Sequence, residues 1–188
     1  MSTAIQTKYQ GIEYRSRLEA RWASFMKSIK WDFTYEPFDG DGYIPDFIIH
    51  GNMPLFIEVK PAISIQEYME PCNKITNGLA AFTHDVLIVG ATPFVEYLHG
   101  AYGEVGAGLL GECWDMVDGS IGHDWAGGGW HRCTICNLIS VHHEIHSYSS
   151  RICGHYDGGG NLGEPPITHM KQLWADACND VKWKGTAL

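Results

Sequence analysis

Two short apolar segments, YIPDFII (43–49) and LFIEVKP (55–61), constrain the fold of this chain more than any other feature. Both are rich in aromatic and branched residues, and the five residues HGNMP (50–54) between them are enough for a hairpin turn. Their flanks, Phe47, Ile48, Ile49, Leu55, Phe56, Ile57 and Val59, predict burial, yet the same strands carry Asp46, Glu58 and Lys60. Buried strands rarely hold charge without a reason. Strand alternation puts Glu58 and Lys60 on one face and Val59 on the other. The connection predicts residue 49 opposite residue 55, so Asp46 faces Glu58 with Cβ atoms about 5 Å apart. A one-residue slip would turn Asp46 to the other face. The competing reading is a surface hairpin with an incidental ion pair, which the apolar flanks oppose.

The neighbouring segments complete an α/β pattern. EYRSRLEARWASFMKSI (13–29) reads as an amphipathic helix with Tyr14, Leu18, Trp22, Phe25, Met26 and Ile29 on one face and Glu19 at its edge. FTYEPF (33–38) reads as a strand, and DGDG (39–42) as a turn. Residues 63–82 read as a helix that Pro71 kinks or delays, and DVLIVGA (85–91) as a buried central strand. ECWDMVD (112–118) is a further candidate strand. The glycine-rich stretch around 100–130, ending in GGGW (127–130), reads as a flexible joint. THMKQLWADACNDVKW (168–183) reads as a final helix with Thr168 as N-cap. The expected division is a core over 1–125, with its catalytic part at 13–91, and a second unit over 131–188.

Two carboxylates and an ammonium on one buried face call for a bound ion. A hard divalent cation takes oxygen ligands, and Mg²⁺ keeps several of its waters, which suits phosphodiester hydrolysis. Lys60 would then orient or deprotonate the attacking water, or stabilise the phosphate; the residues leave these roles open. YRSRLEARWASFM, FTYEP, YIPDFII and LFIEVKP, in this order, resemble the core of the PD-(D/E)XK nucleases. The chain is most similar to the phage endonuclease I type of Holliday junction resolvase and to phage-encoded endonuclease-like proteins. The resemblance spans residues 13 to about 90. It implies a restriction-endonuclease-like mixed sheet flanked by helices, and an active site of Glu19, Asp46, Glu58 and Lys60. It also implies one or two Mg²⁺ or Mn²⁺ ions on Asp46, Glu58, Glu19 and the Val59 carbonyl, with DNA cut to a 5′-phosphate and a 3′-hydroxyl. Without the resemblance, Glu19 reads equally as a solvated i,i+4 partner of Arg15. Arg15, Arg17 and Lys74 are candidate DNA contacts.

The net charge of −9 argues against a broadly DNA-binding surface, but its distribution is uneven. Residues 1–30 hold six of the thirteen Lys and Arg and two acids, whereas Ile75–His131 holds seven acids and no Lys or Arg. A basic N-terminal face on an acidic body remains compatible with DNA. No stretch approaches the ~20 apolar residues of a membrane span, and MSTAIQTKYQGIEYRSR lacks an apolar signal core. The expectation is therefore a protein of the bacterial or phage-infected cytoplasm, with no membrane partner.

In that compartment the six cysteines point away from disulfides. Cys133-x-x-Cys136 followed by Cys153-x-His155 has the form of a small structural zinc site, closed by four protein ligands. LISVHHEIHSYSSRI (138–152) would form the hairpin that returns the second pair to the first. His142, His143 and His146 compete with His155 for the fourth place. A zinc-protease reading of His143-Glu144-Ile145-His146 fails, because that chemistry needs His-Glu-x-x-His on a helix. Cys72, Cys113 and Cys178 read as core thiols. The sequence as a whole reads as a metal-dependent endonuclease core followed by a zinc hairpin and a helix. A junction-resolving enzyme would act as a homodimer; restriction-like and transposase-partner nucleases are the other choices within the class. The alternative outside it is a DNA-binding or phage accessory protein that keeps the fold without cutting.

Overall fold

The anchor of the fold is β5 (Leu55–Val59), buried along its whole length and paired on both edges. The computed structural model describes residues 4–38, 43–98, 105–143, 150–155 and 162–182; the expected DGDG turn (39–42) lies outside them. On one edge of β5 lies β4 (Phe47–Ile49), antiparallel, with Ile49 opposite Leu55 and Phe47 opposite Ile57. This is the predicted register. On the other edge lies β6 (Asp85–Val89), parallel to β5 and equally buried, as its uninterrupted apolar sequence requires.

The sheet extends in both directions. β3 (Phe33–Tyr35) adds to β4, while β7 (Gly106–Asp115) and β8 (Ile121–Cys133) add beyond β6 as a long antiparallel hairpin. β9 (Ile139–His143) and β10 (Leu162–Gly163) both pair with β8, giving an eight-stranded mixed sheet. β1 (Thr7–Tyr9) and β2 (Ile12–Tyr14) form a separate small hairpin.

Helices cover both faces. α1 (Arg17–Ser28) and α4 (Ile167–Asp180) pack on one face, where Trp22, Phe25, Met26, Met170 and Ala177 join Ile57, Leu87 and Trp130 in one buried cluster. Trp22 donates its indole N–H to the Gly90 carbonyl at 2.9 Å, so the largest side chain of α1 is buried without stranding a polar group. α2 (Ile65–Met69) and α3 (Cys72–Gly78) cover the other face, with Tyr68, Cys72 and Ile75 against Phe56, Val86 and Ile88. Pro71 separates α2 from α3, as its missing N–H predicts. No helix among the described residues is long and apolar enough to cross a membrane.

Several local expectations need correction. The first helix begins at Arg17, not near residue 13, because Ser16 caps it and residues 12–14 are strand. The turn before them, Gln10–Gly11, has φ of 48° and 87°, the left-handed pair that tightens a two-residue hairpin. α4 opens at Ile167 behind Pro166 with no side-chain cap, so Thr168 is not its N-cap. Over its described residues, 105–130, the glycine-rich stretch is not a joint. Gly127–Trp130 lies inside β8, and Gly106, Gly108 and Gly111 lie inside β7. A Cβ on Gly108 would sit 2.1 Å from the Ile88 carbonyl oxygen, so the close approach of β7 to β6 demands glycine there. Across the hairpin, Gly111 faces Trp125 and Gly122 faces Trp114, each indole covering the bare backbone opposite.

Candidate functional site

Asp46 immediately precedes β4 and Glu58 lies in β5 opposite it, so the observed ladder carries both to the same side of the sheet. They line one cavity of about 450 Å³ with Arg15, Glu19, Tyr43, Val59, Lys60 and Lys74. Asp46, Glu58 and Glu19 are all buried. The structure thus brings together all four residues of the expected constellation. It also brings in Arg15 and Lys74. Arg17 is not at this site; it lines a different surface pocket with Lys8, Asp180 and Lys182.

Each carboxylate is oriented by a neighbour. Asp46 Oδ2 accepts the Val59 N–H at 2.7 Å, a bond made possible by the hairpin register, and its Oδ1 accepts from the Arg15 guanidinium. Glu58 Oε2 accepts the Tyr43 hydroxyl at 2.7 Å, and Oε1 takes the Lys60 ammonium at 2.5 Å. Glu19 Oε2 accepts the Tyr35 hydroxyl at 2.6 Å and the Arg15 N–H at 3.2 Å. Glu19 therefore has a structural task as well. It stands three residues after the Ser16 cap, whose Oγ accepts the Glu19 N–H at 3.1 Å, and its carboxylate reaches back over the helix start.

The electrostatics are those of crowded acids. Burial, then the Glu58 charge, push the Asp46 carboxyl up to about 7, and Glu19 adds to this; the Val59 N–H and Arg15 work in the opposite direction. Tyr43 and Tyr35 are held well above the usual phenol range, chiefly by burial and then by their contacts with Glu58 and Glu19. Both phenols consequently stay protonated and serve as donors. The cavity's carboxylate oxygens suit a hard cation such as Mg²⁺ or Mn²⁺ rather than a soft one. The repulsion that raises Asp46 is what a divalent charge would relieve. The three carboxylates do not close into a tight cluster: among the described residues only a Cys/His group does so.

That group is Cys133, Cys136, Cys153 and His155, whose ligand atoms all lie within 4.8 Å of one another. Zinc–sulfur bonds of about 2.3 Å in a tetrahedron need ligand atoms ~3.8 Å apart, and Cys133 Sγ lies 3.5 Å from His155 Nδ1. The cluster can hold a metal ion such as zinc. Local structure explains it: Asn137 N–H donates to the Cys133 carbonyl at 2.8 Å, and Asn137 has φ of 64°, which folds residues 133–137 into a knuckle after β8. Segment 150–155 brings the second pair. It is fixed by the Asn52 and Met53 N–H groups, which donate to the Ile152 and Arg151 carbonyls, each at 2.9 Å. Among the competitors for the fourth place, His142 is excluded, since its buried ring faces His131 instead. The His143 side chain and His146 lie outside the described residues.

Four features escaped the sequence reading. Tyr43 and Tyr35, the hydrogen-bond donors to Glu58 and Glu19, carry no motif of their own. Ser16-x-x-Glu19 was a legible helix-start signature that also explains part of the Glu19 geometry. The fourth is a fully buried Arg151, which binds Asp85 at 2.9 Å and Glu112 at 2.5 Å across β6 and β7. Against protein-family models, curated proteins and solved structures alike, the chain finds no match. Fold and site together define an α/β protein with a carboxylate–lysine cavity at one place and a metal-competent Cys₃His cluster at another.

Proposed function

We propose that this chain is a divalent-metal-dependent DNA endonuclease of the PD-(D/E)XK type. The observation that carries the reading is the hairpin register, which puts Asp46, Glu58 and Lys60 on the wall of one cavity with Glu19. The parallel β5–β6 pair, its helical crossover and the helices on both faces support a restriction-endonuclease-like fold. Asp46, Glu58 and Glu19 would hold Mg²⁺ or Mn²⁺, with the Val59 carbonyl as a further oxygen. When bound, such an ion supplies Lewis-acid polarisation of the phosphate and a water of lowered pKa. Asp46 is held through one oxygen by the Val59 N–H and Glu58 through one oxygen by the Tyr43 hydroxyl, which limits how far either must turn on binding. Lys60, part-exposed at the cavity mouth, orients the attacking water or meets the phosphate. Lys74, which lines the same cavity, would add a phosphate contact. Zinc at Cys133, Cys136, Cys153 and His155 is structural in this reading: four protein ligands leave no open position.

The test is a cleavage panel of linear, nicked, flapped and four-way DNA in Mg²⁺ or Mn²⁺, comparing wild type with Asp46→Ala. Loss of cutting in the variant, at unchanged melting temperature, supports the proposal. Preference for four-way DNA by a homodimer would make it a junction-resolving enzyme. Zinc content on purification tests the second site, where one equivalent per chain is expected and less than about half counts against it. The opposing reading is a DNA-binding protein that does not cut. It is favoured by one observation: ion pairs with Arg15 and Lys60 already balance Asp46 and Glu58. DNA binding without cleavage of any substrate would select it.

A further inference from the structure

We propose that Arg15 is the resident cation of the carboxylate cavity: it closes on Asp46 when no divalent ion is bound, gives up that place when one binds, and then presents its guanidinium at the rim to the DNA phosphate. The inference rests on the metal-dependent nuclease reading.

One guanidinium is ringed by acids. Arg15 bonds Asp46 Oδ1, lies 2.9 Å from Glu36 Oε1 and 4.0 Å from Glu19 Oε2. Three acids, from α1, the end of β3 and the start of β4, converge on this single side chain. Asp46 Oδ2 accepts the Val59 N–H and Oδ1 the Arg15 guanidinium, so a divalent ion on Asp46 competes with Arg15 for the charge of one carboxylate. The ion pair also explains why the cavity carboxylates are not drawn together as the thiols of the Cys₃His group are. Asp46 leans to Arg15 and Glu58 to Lys60.

The mobility is unevenly distributed, as an exchange requires. The Arg15 backbone is pinned, its N–H shared between the Tyr35 hydroxyl at 3.0 Å and Glu19 at 3.2 Å. Its side chain is 51% exposed, so it can swing outward without opening the core. Glu36 gives the released guanidinium a second anchor. Its backbone N–H is held by the Asp46 carbonyl at 2.9 Å, and its φ of 44° is a left-handed conformation that a residue with a side chain adopts at a cost. That turn aims Glu36 at Arg15 from outside the cavity. An arginine parked there has planar donors suited to a phosphate.

The exchange makes a sign prediction that a merely structural arginine would not. The test is calorimetric titration of the full-length protein with Ca²⁺, which binds oxygen sites, alongside DNA binding in Ca²⁺. Arg15→Gln is expected to tighten Ca²⁺ binding roughly fivefold, the scale of a half-exposed ion pair, and to weaken DNA binding several-fold. Arg15→Lys, which preserves charge and fold, should fall between wild type and Arg15→Gln in both assays. Unchanged or weaker Ca²⁺ binding in both variants, at wild-type melting temperature, overturns the role of Arg15. If wild type also binds Ca²⁺ and cuts DNA in Mg²⁺, the nuclease reading survives that result. If neither wild type nor Arg15→Gln binds Ca²⁺, Mg²⁺ or Mn²⁺, both fall.

Discussion

Replacing Arg151 with methionine should cost about 3–4 kcal/mol of folding stability. The guanidinium is fully buried; its Nε donates to Asp85 Oδ2 at 2.9 Å, Nη2 to Glu112 Oε1 at 2.5 Å, and Nη1 to the Val141 carbonyl at 3.3 Å. Methionine fills much the same volume, so the cavity contribution is small and the cost is electrostatic. Asp85 would keep the Cys113 N–H at 3.0 Å but lose its countercharge in a buried position, which costs on the order of 2–3 kcal/mol. Glu112 is more exposed and is discounted to ~1 kcal/mol. Urea unfolding followed by tryptophan fluorescence measures the loss. Adding Asp85→Asn to the variant should recover most of the loss at pH 7. A loss below about 1 kcal/mol at pH 7, or no recovery on adding Asp85→Asn, would refute the reasoning. Because Arg151 anchors the segment that carries Cys153 and His155, the variant should also release zinc more readily than wild type.

Three further outcomes are expected. Tyr43→Phe removes the hydrogen bond to Glu58 while keeping the ring; divalent-ion affinity should fall about tenfold at unchanged melting temperature, as calorimetry would show. His123 is held below its usual value of 6.5, first by burial, so the folded state binds fewer protons than the unfolded one. Its contribution is complete above about pH 6.5 and is lost as pH falls below it, so His123→Gln should make the acid side of the stability profile shallower in chemical denaturation. Gly108→Ala forces a Cβ against the Ile88 carbonyl oxygen and should destabilise by more than about 2 kcal/mol, read as a lower melting temperature.

The buried parts of the molecule were legible because burial imposes a repeating pattern. β4 and β5 announced themselves through apolar runs, their short connection set the register, and the register in turn predicted which acids share a face. α1 showed its core stripe in the same way. The long β7–β8 hairpin was hidden for the opposite reason. Its close backbone approaches require glycine, and glycine removes the side-chain alternation by which a strand is recognised. The cysteine and histidine spacing proposed a ligand set, but spacing alone could not choose between His142 and His155. That choice was made by the hydrogen bonds that dock segment 150–155 on the turn at residues 50–53, and by the burial of His142 against His131.

The sequence by itself determined the chemistry available: two acids and a lysine on adjoining buried strands, a helix acid upstream, and three thiols with an imidazole downstream. Only the tertiary structure decided what those groups touch. Tyr43, Tyr35 and Arg15 reach Glu58, Glu19 and Asp46 across 15, 16 and 31 residues of chain, and Arg151 reaches Asp85 across 66. Local sequence reports backbone periodicity. The partners of a buried charge are set by how distant elements stack, and no local pattern records that.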